Sequence, residues 1–329
     1  MDIQSAKEIA WGMATTLRPD MSRLSEDLLF YGPAPIEFAG GGEETDKLIL
    51  EPLRRAMPRA RKRPYIFLGS EYGGSIWIAT TGNIEGEMEA SWLGIPAGQG
   101  LRKLRFGEFY RVDGERIVEI RCLFDIPGLA AQAGIEMLPK FEGLAHIPTG
   151  PKDGDAVIRM PQDPAESDKT RLLVTEMITN GCNRLNGSDL RSQRLERFWT
   201  DDMAWHGPWG IGSSYGIDQF YRFAQSPSVK SFPGRRGSWP KLAFPSEGPT
   251  AAFTGWPGLI GEFTGEPFRG IEPTNGPIGQ TVMDFYFRRG DRLAENWVLI
   301  DLVKFASDCG VDLMSKLRDG SYKSLERNC

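Results

Sequence analysis

A stretch of thirty residues occurs twice in this chain, and no other feature limits its possible folds so tightly. Residues 105–134, RFGEFYRVDGERIVEIRCLFDIPGLAAQAG, align without a gap on residues 281–310, TVMDFYFRRGDRLAENWVLIDLVKFASDCG, at an offset of 176. Nine of the thirty positions are identical: Phe109/Phe285, Tyr110/Tyr286, Gly114/Gly290, Arg116/Arg292, Glu119/Glu295, Leu123/Leu299, Asp125/Asp301, Ala130/Ala306 and Gly134/Gly310. Average residue usage gives about two by chance. Gly94-Ile95 and Gly270-Ile271 match at the same offset. The chain is an internal duplication, and each copy reads as strand, tight turn, strand, helix. Aromatic and β-branched residues favour the pleated strands, and Gly114 or Gly290 supplies the turn. After Asp301 the spacing Leu302, Phe305, Cys309 passes to helical period, and Gly310 stops that helix.

The total of 329 residues suits two domains of about 150 residues, each with its own core. A formal charge of −5 speaks against a duplex nucleic-acid binder, which needs a concentrated basic face. Cys122, Cys182, Cys309 and Cys329 show no metal-ligand spacing and read as free thiols of a reducing cytoplasm. The start, MDIQSAKEIAWGM, lacks the basic and apolar regions of a secretory signal. No apolar run approaches the ~18 residues of a membrane span, so no membrane partner is expected.

Taken in order, the pattern predicts a first domain over 1–146, a linker over 147–170 rich in Pro, Asp, Gly and Lys, and a second domain over 171–329. Helices are expected over 5–17, 21–29, 44–57, 172–185, 190–198 and 217–224. In the first half, strands are expected over 65–69, 75–81, 86–93, 102–112 and 116–124. Helices first and an antiparallel meander after is the α+β pattern.

Several motifs fall in one order in the second half, and more faintly in the first. They are Asn186-Gly187-Ser188-Asp189-Leu190, Ala204-Trp205-His206-Gly207-Pro208, Gly261-Glu262-Phe263, Asp284-Phe285-Tyr286 and Glu295-Asn296-Trp297 through Asp301-Leu302. Together they resemble the SnoaL-like polyketide cyclases of the nuclear transport factor two-like and ketosteroid isomerase superfamily. The resemblance implies two tandem cone-shaped α+β barrels, each a curved sheet wrapped on N-terminal helices with a pocket at its wide end. Members pair through the outer faces of their sheets, so a tandem copy implies an intramolecular pseudo-dimer, with a further homodimer left open. It also implies cofactor-free acid–base chemistry on a small hydrophobic carbonyl compound, as a cyclase, isomerase or dehydratase of the lyase or isomerase classes.

Alternate strand residues share a face, so Asp284 and Tyr286 point one way and Phe285 and Phe287 the other. A turn centred on Gly290 sets Asp284 opposite Asn296. The resemblance places Asp284, Asn296 and His206 in the pocket as catalytic residues: His206 and Asp284 as acid and base, Asn296 as donor to an enolate oxygen. Read without it, an Asp on a strand caps a turn or faces water, and a His before Gly-Pro bonds a loop. The family's catalytic Asp position holds Val298 here and Cys122 in the first half, which favours a binding protein or an interaction module as rivals. Trp205, Trp209 and Tyr215 are candidate substrate-binding walls, or core. Glu262 faces either pocket or solvent. In the first half Tyr31 and Glu108 stand where the second has His206 and Asp284, and they are its candidate ligand contacts. Trp297 and Phe285 are expected at the contact between halves. Basic stretches at 54–63 and 230–241 read as solvated faces, or as guards of a pocket mouth. Neither phosphate loop nor dinucleotide fingerprint nor serine hydrolase elbow occurs, and two histidines make a histidine-rich metal site a poor expectation.

Overall fold

In the computed structural model, which describes residues 1–238 and 242–318, the duplicated stretch builds the same unit twice. The first half contributes β1 (Leu24–Tyr31), β2 (Phe38–Gly40), β3 (Arg61–Tyr72), β4 (Ser75–Met88), β5 (Gly98–Asp113) and β6 (Arg116–Phe124). They join in the order β2-β1-β6-β5-β4-β3. The second half contributes β7 (Trp199–His206), β8 (Ser213–Tyr215), β9 (Arg236–Gly237), β10 (Ser246–Glu247), β11 (Thr250–Glu262), β12 (Pro277–Arg289) and β13 (Arg292–Ile300). Their order is β10-β11-β12-β13-β7-β8, with β9 also on β11. In each sheet one parallel pair, β1 with β6 and β7 with β13, closes an otherwise antiparallel arrangement. The architecture is a tandem pair of α+β domains.

The hairpins β5–β6 and β12–β13 turn at Gly114 and Gly290, whose φ of 55° and 61° a side chain rarely tolerates. The register of the second hairpin departs from simple counting. Phe287 pairs with Glu295 but Arg288 with Leu293, so Ala294 is an extra bulge residue. Asp284 therefore lies opposite Val298, and Asn296 opposite Tyr286. The shift is by two, so the shared face of Asp284 and Asn296 survives.

The helix expected over 21–29 is mostly strand, and the one expected over 190–198 is two short 3-10 turns. Residues 24–31 and 199–206 form β1 and β7, preceded by short 3-10 turns. Their buried residues, Leu24, Leu28 and Phe30 or Trp199, Met203 and Trp205, recur at intervals of four and two, which both periods accommodate. The linker is also shorter than expected: a helix, Pro164–Asn180, begins inside it, with Asp163 accepting the Ala165 N–H and Pro at its first turn. Residues 89–93 leave the sheet, because a tight turn at Leu93 and Gly94, both at positive φ, intervenes. Arg269 and Gly270 repeat that turn in the second half.

The outer faces of the two sheets pack on each other. Phe109 and Phe285, equivalent residues 176 apart, meet at 5.6 Å between ring centroids. Around them lie Leu123, Leu299, Trp77 and Trp297, all buried. Gly107 makes room: a Cβ there would sit 3.1 Å from Leu299 Cδ1 and Met283 Sδ. Two equivalent carboxylates stitch the halves. Asp125 caps its own helix through Gly128 N–H (3.1 Å) and accepts Trp209 N–H of the other half (2.9 Å). Asp301 caps through Lys304 N–H (2.9 Å) and accepts Ala34 N–H (2.9 Å). Lys7 and Glu247 add a buried ion pair across the halves at 2.7 Å. An intramolecular pseudo-dimer results.

The connecting segment lies along this contact, where Trp297 Nε1 donates to Thr149 O at 2.8 Å. Replacing Trp297 by Phe keeps most of the packing and strands that carbonyl. The expected loss is about 1 kcal/mol in urea unfolding, with faster proteolysis of residues 147–155.

Among the described residues no helix is long and apolar enough to cross a membrane. None of their His, Cys, Asp and Glu side chains form a group of three able to hold a metal ion.

Candidate functional site

The inner face of the second sheet encloses a cavity of about 730 Å³. Period-two alternation along β12 sends Val282, Asp284 and Tyr286 into it, and along β13 Asn296, Val298 and Ile300. Trp199 and Trp205 enter from β7, Phe253 from β11. The far wall is Met177 and Cys182 at the end of the Pro164–Asn180 helix, Gln193, and the segment Gln225 to Gly237.

Asp284 is the polar centre of this wall. Its Oδ1 accepts from Asn296 Nδ2 and Tyr286 Oη, both at 3.3 Å. Asn296 Nδ2 also reaches Phe285 O at 3.1 Å, which fixes the amide. Asp284 is half-buried and lines the cavity. Burial raises its pKa from 3.8 to about 7, against the lowering effect of the two hydrogen bonds. Burial likewise pushes the Tyr286 hydroxyl well above 10, and the neighbouring carboxylate pushes it further. A carboxyl that exchanges its proton near neutrality beside two hydrogen-bond donors is equipped for acid–base work. Three buried polar atoms on residues that line the cavity have no partner among the described residues: Gln193 Oε1, Gln280 Nε2 and Trp199 Nε1.

His206 is not part of this site. It pairs with Trp297 across β7 and β13 and therefore shares the outer face of Trp297 and Phe285, while Trp205 takes the inner face. Its Nε2 lies 3.0 Å from Glu295 Oε2, and its ring stacks on Trp297 with centroids 5.1 Å apart. Burial lowers its pKa despite that carboxylate. Its place is at the contact between halves, where Lys152 N–H also bonds Glu295 Oε1 at 2.7 Å.

Of the expected substrate contacts, Trp205 lines the cavity. Trp209 instead packs edge-on against Phe141 at 5.4 Å, and Tyr215 is exposed beside His146. Glu262 is exposed at the end of β11, where the strand leaves the barrel. Phe263 is fully buried core against Phe232 and Phe305. In the first half Tyr31 and Glu108 lie on opposite faces. Tyr31 pairs with Arg121 and packs outward near Trp256, whereas Glu108 pairs with Cys122 and points in.

Glu108 does not face an open cavity either. Lys62 places its ammonium 2.6 Å from Glu108 Oε2 and 2.9 Å from Met13 O, over the Phe106 ring. Tyr110 Oη donates to the same carboxylate. Both Lys62 and Glu108 are buried. Lys62 pairs with Ile84, which pairs with Leu104. In the second half Gly237 pairs with Leu259, which pairs with Gln280, 176 residues after Leu104. The position that plugs the first domain is thus a glycine on the rim of the second cavity.

The basic stretches divide accordingly. Arg54 pairs with Asp46, Arg59 with Glu87 and Glu89, Arg63 with Glu85, and Lys62 is internal. In the second stretch Arg235 and Arg236 line the cavity, and Lys241 lies outside the described residues. Sequence reasoning missed Gln280 and Gln193 as site residues; Lys62 and Arg235 it held only within basic stretches, with guarding a pocket mouth as the alternative to a solvated face.

No family model and no curated protein matches the chain. Solved structures do. A protein from Jannaschia sp. CCS1 assigned as a SnoaL-like polyketide cyclase matches 44% of this chain over 93% of its own length, at 16% identity and a TM-score of 0.36. IdmH of Streptomyces antibioticus, assigned as a polyketide cyclase, matches 44% over 99% of its own, at 19% identity and a TM-score of 0.33. An NTF2-like protein of Anabaena variabilis matches 43% over 93%, at 19% identity and a TM-score of 0.32. Each spans less than half of this chain and nearly all of itself. The likeness is one of fold alone.

Proposed function

We propose that the second domain is an enzyme that moves a proton on a small, largely hydrophobic carbonyl compound without a cofactor, as a cyclase, isomerase or dehydratase, and that the first domain is its scaffold. The observation that carries this reading is Asp284, whose pKa of about 7 sits in a cavity of about 730 Å³. Asp284 takes the proton from the carbon next to the carbonyl and returns it elsewhere. Tyr286 and Asn296 are donors within reach of an enolate oxygen bound beside that carboxylate. Apolar walls from Trp205, Phe253 and Val298 exclude water and keep the carboxyl's pKa high.

The test is exchange of α-protons for deuterium in a panel of aryl ketones, followed by NMR. Asp284→Asn is expected to slow exchange by about 10²–10⁴-fold. His206→Gln, altered on the other sheet face, is expected to leave the rate within about threefold, a change worth under 1 kcal/mol of barrier. Wild-type exchange should rise with pH through an apparent pKa of about 7, since the base must be ionised. Exchange that survives in Asp284→Asn refutes the assignment. A ligand-binding protein without chemistry is the second reading. Val298 favours it, being apolar where the resemblance implies a catalytic carboxylate, and saturable binding without exchange would establish it.

A further inference from the structure

Of the two arginines that line the cavity among the described residues, Arg236 is exposed and Arg235 half-buried. Its Nη1 donates to Ser228 Oγ at 2.7 Å, and its Nη2 donates to Gln225 Oε1. Both acceptors are neutral. A guanidinium carries five N–H donors, so three remain without an acceptor among the described residues. No carboxylate there forms an ion pair with it, and burial lowers its pKa with only the Cys182 thiol opposing. Arg235 is half-buried on the cavity wall, and a partly desolvated charge without a counter-charge is disfavoured unless something pairs it.

The first domain provides the contrast. There the internal cation, Lys62, is consumed by the carboxylate of its own domain. In the second, the equivalent carboxylate, Asp284, bonds only Asn296 and Tyr286, and the cation stands apart across the hollow. Gln225 and Ser228 aim the guanidinium without neutralising it.

We propose that the natural ligand is an organic anion, a carbonyl compound bearing a carboxylate, held by Arg235 with its carbonyl against Asp284, Tyr286 and Asn296. This rests on the acid–base reading for the orientation of the ligand, and on Arg235 alone for its charge. The planar fork of arginine binds a carboxylate through two parallel hydrogen bonds. Arg236 also lines the cavity but is exposed to solvent, so one half-buried cation suits a monoanion better than a phosphate dianion. The carboxylate replaces the missing counter-charge, so binding and the burial of Arg235 account for each other.

The test uses 4-oxo-4-phenylbutanoate, its methyl ester and phenyl phosphate as probes, with binding read from quenching of the cavity tryptophans or by calorimetry. The acid is expected to bind about tenfold or more tighter than the ester, the size of a charge-assisted hydrogen bond. Arg235→Met and Arg235→Gln should erase that preference, and Arg235→Lys should keep part of it. The preference should persist in Asp284→Asn, which lacks the proposed base, so failure of the chemistry and failure of the anion site separate. Equal binding of acid and ester by the unaltered protein overturns the proposal whatever the variants do. So does a preference that survives in both neutral variants. Tighter binding of phenyl phosphate than of the acid overturns the carboxylate assignment.

Discussion

Lys62→Ala is expected to destabilise the protein by about 3–5 kcal/mol, read as a fall in the urea midpoint, because it leaves the buried Glu108 carboxylate without its cation. The ammonium lies 2.6 Å from that carboxylate with both side chains nearly inaccessible, at 1% and 9% exposure. Removing one partner strands a charge in an apolar interior, whereas removing both does not. The double variant Lys62→Met with Glu108→Gln is therefore expected to recover most of the loss, with Tyr110 still able to bond the amide. Unchanged stability of Lys62→Ala would show that the pair does not hold the first domain's interior together.

Asp284→Asn is expected to raise stability while it removes the base. The sign follows from the direction of the shift. Asp284 in the folded protein titrates near 7 and in the unfolded chain near 3.8, so the folded state holds its proton more tightly. Between those pH values the unfolded state ionises first, and stability falls as pH rises. Above pH 7 the penalty is complete, on the order of 3–4 kcal/mol for a shift of about three units. Asparagine never ionises, so the variant should match the unaltered protein below pH 4 and exceed it by roughly that amount at pH 8. Thermal unfolding across pH 4–8 measures it, and parallel profiles for the two proteins would count against a buried, shifted carboxyl. A gain in stability bought by losing the proton acceptor is what a functional group held against its own preference produces.

Period and repetition explain what was legible beforehand. The duplication showed itself through residues that pack or turn, Phe109/Phe285 and Gly114/Gly290, because those roles tolerate little change. Alternation put Asp284 and Asn296 on one face, and the resemblance to the cyclases made that face the inward one. The bulge at Ala294 moved their cross-strand partners without turning the face over. His206 went the other way for the same reason: with Trp205 inward, its neighbour had to point outward. No strand was expected over 199–206, so that parity could not be read from the sequence. The roles of Lys62 and Arg235 were only faintly legible, for another cause. Each lies in a run of charges that looks solvated, and the groups that define its role come from elsewhere in the chain, 46 residues away for Glu108 and across a cavity for Asp284.

The joined halves have a consequence for how such a protein can change. Where two separate copies of one chain associate, every substitution is written into both, so a lysine that fills one hollow fills the other. Here the Phe109–Phe285 contact and the Asp125 and Asp301 stitches hold two independently inherited halves together. Lys62 could therefore close one barrel while Gly237 left the other open. Covalent linkage released each barrel from being a copy of its neighbour, and the asymmetry of the two interiors is the trace of that release.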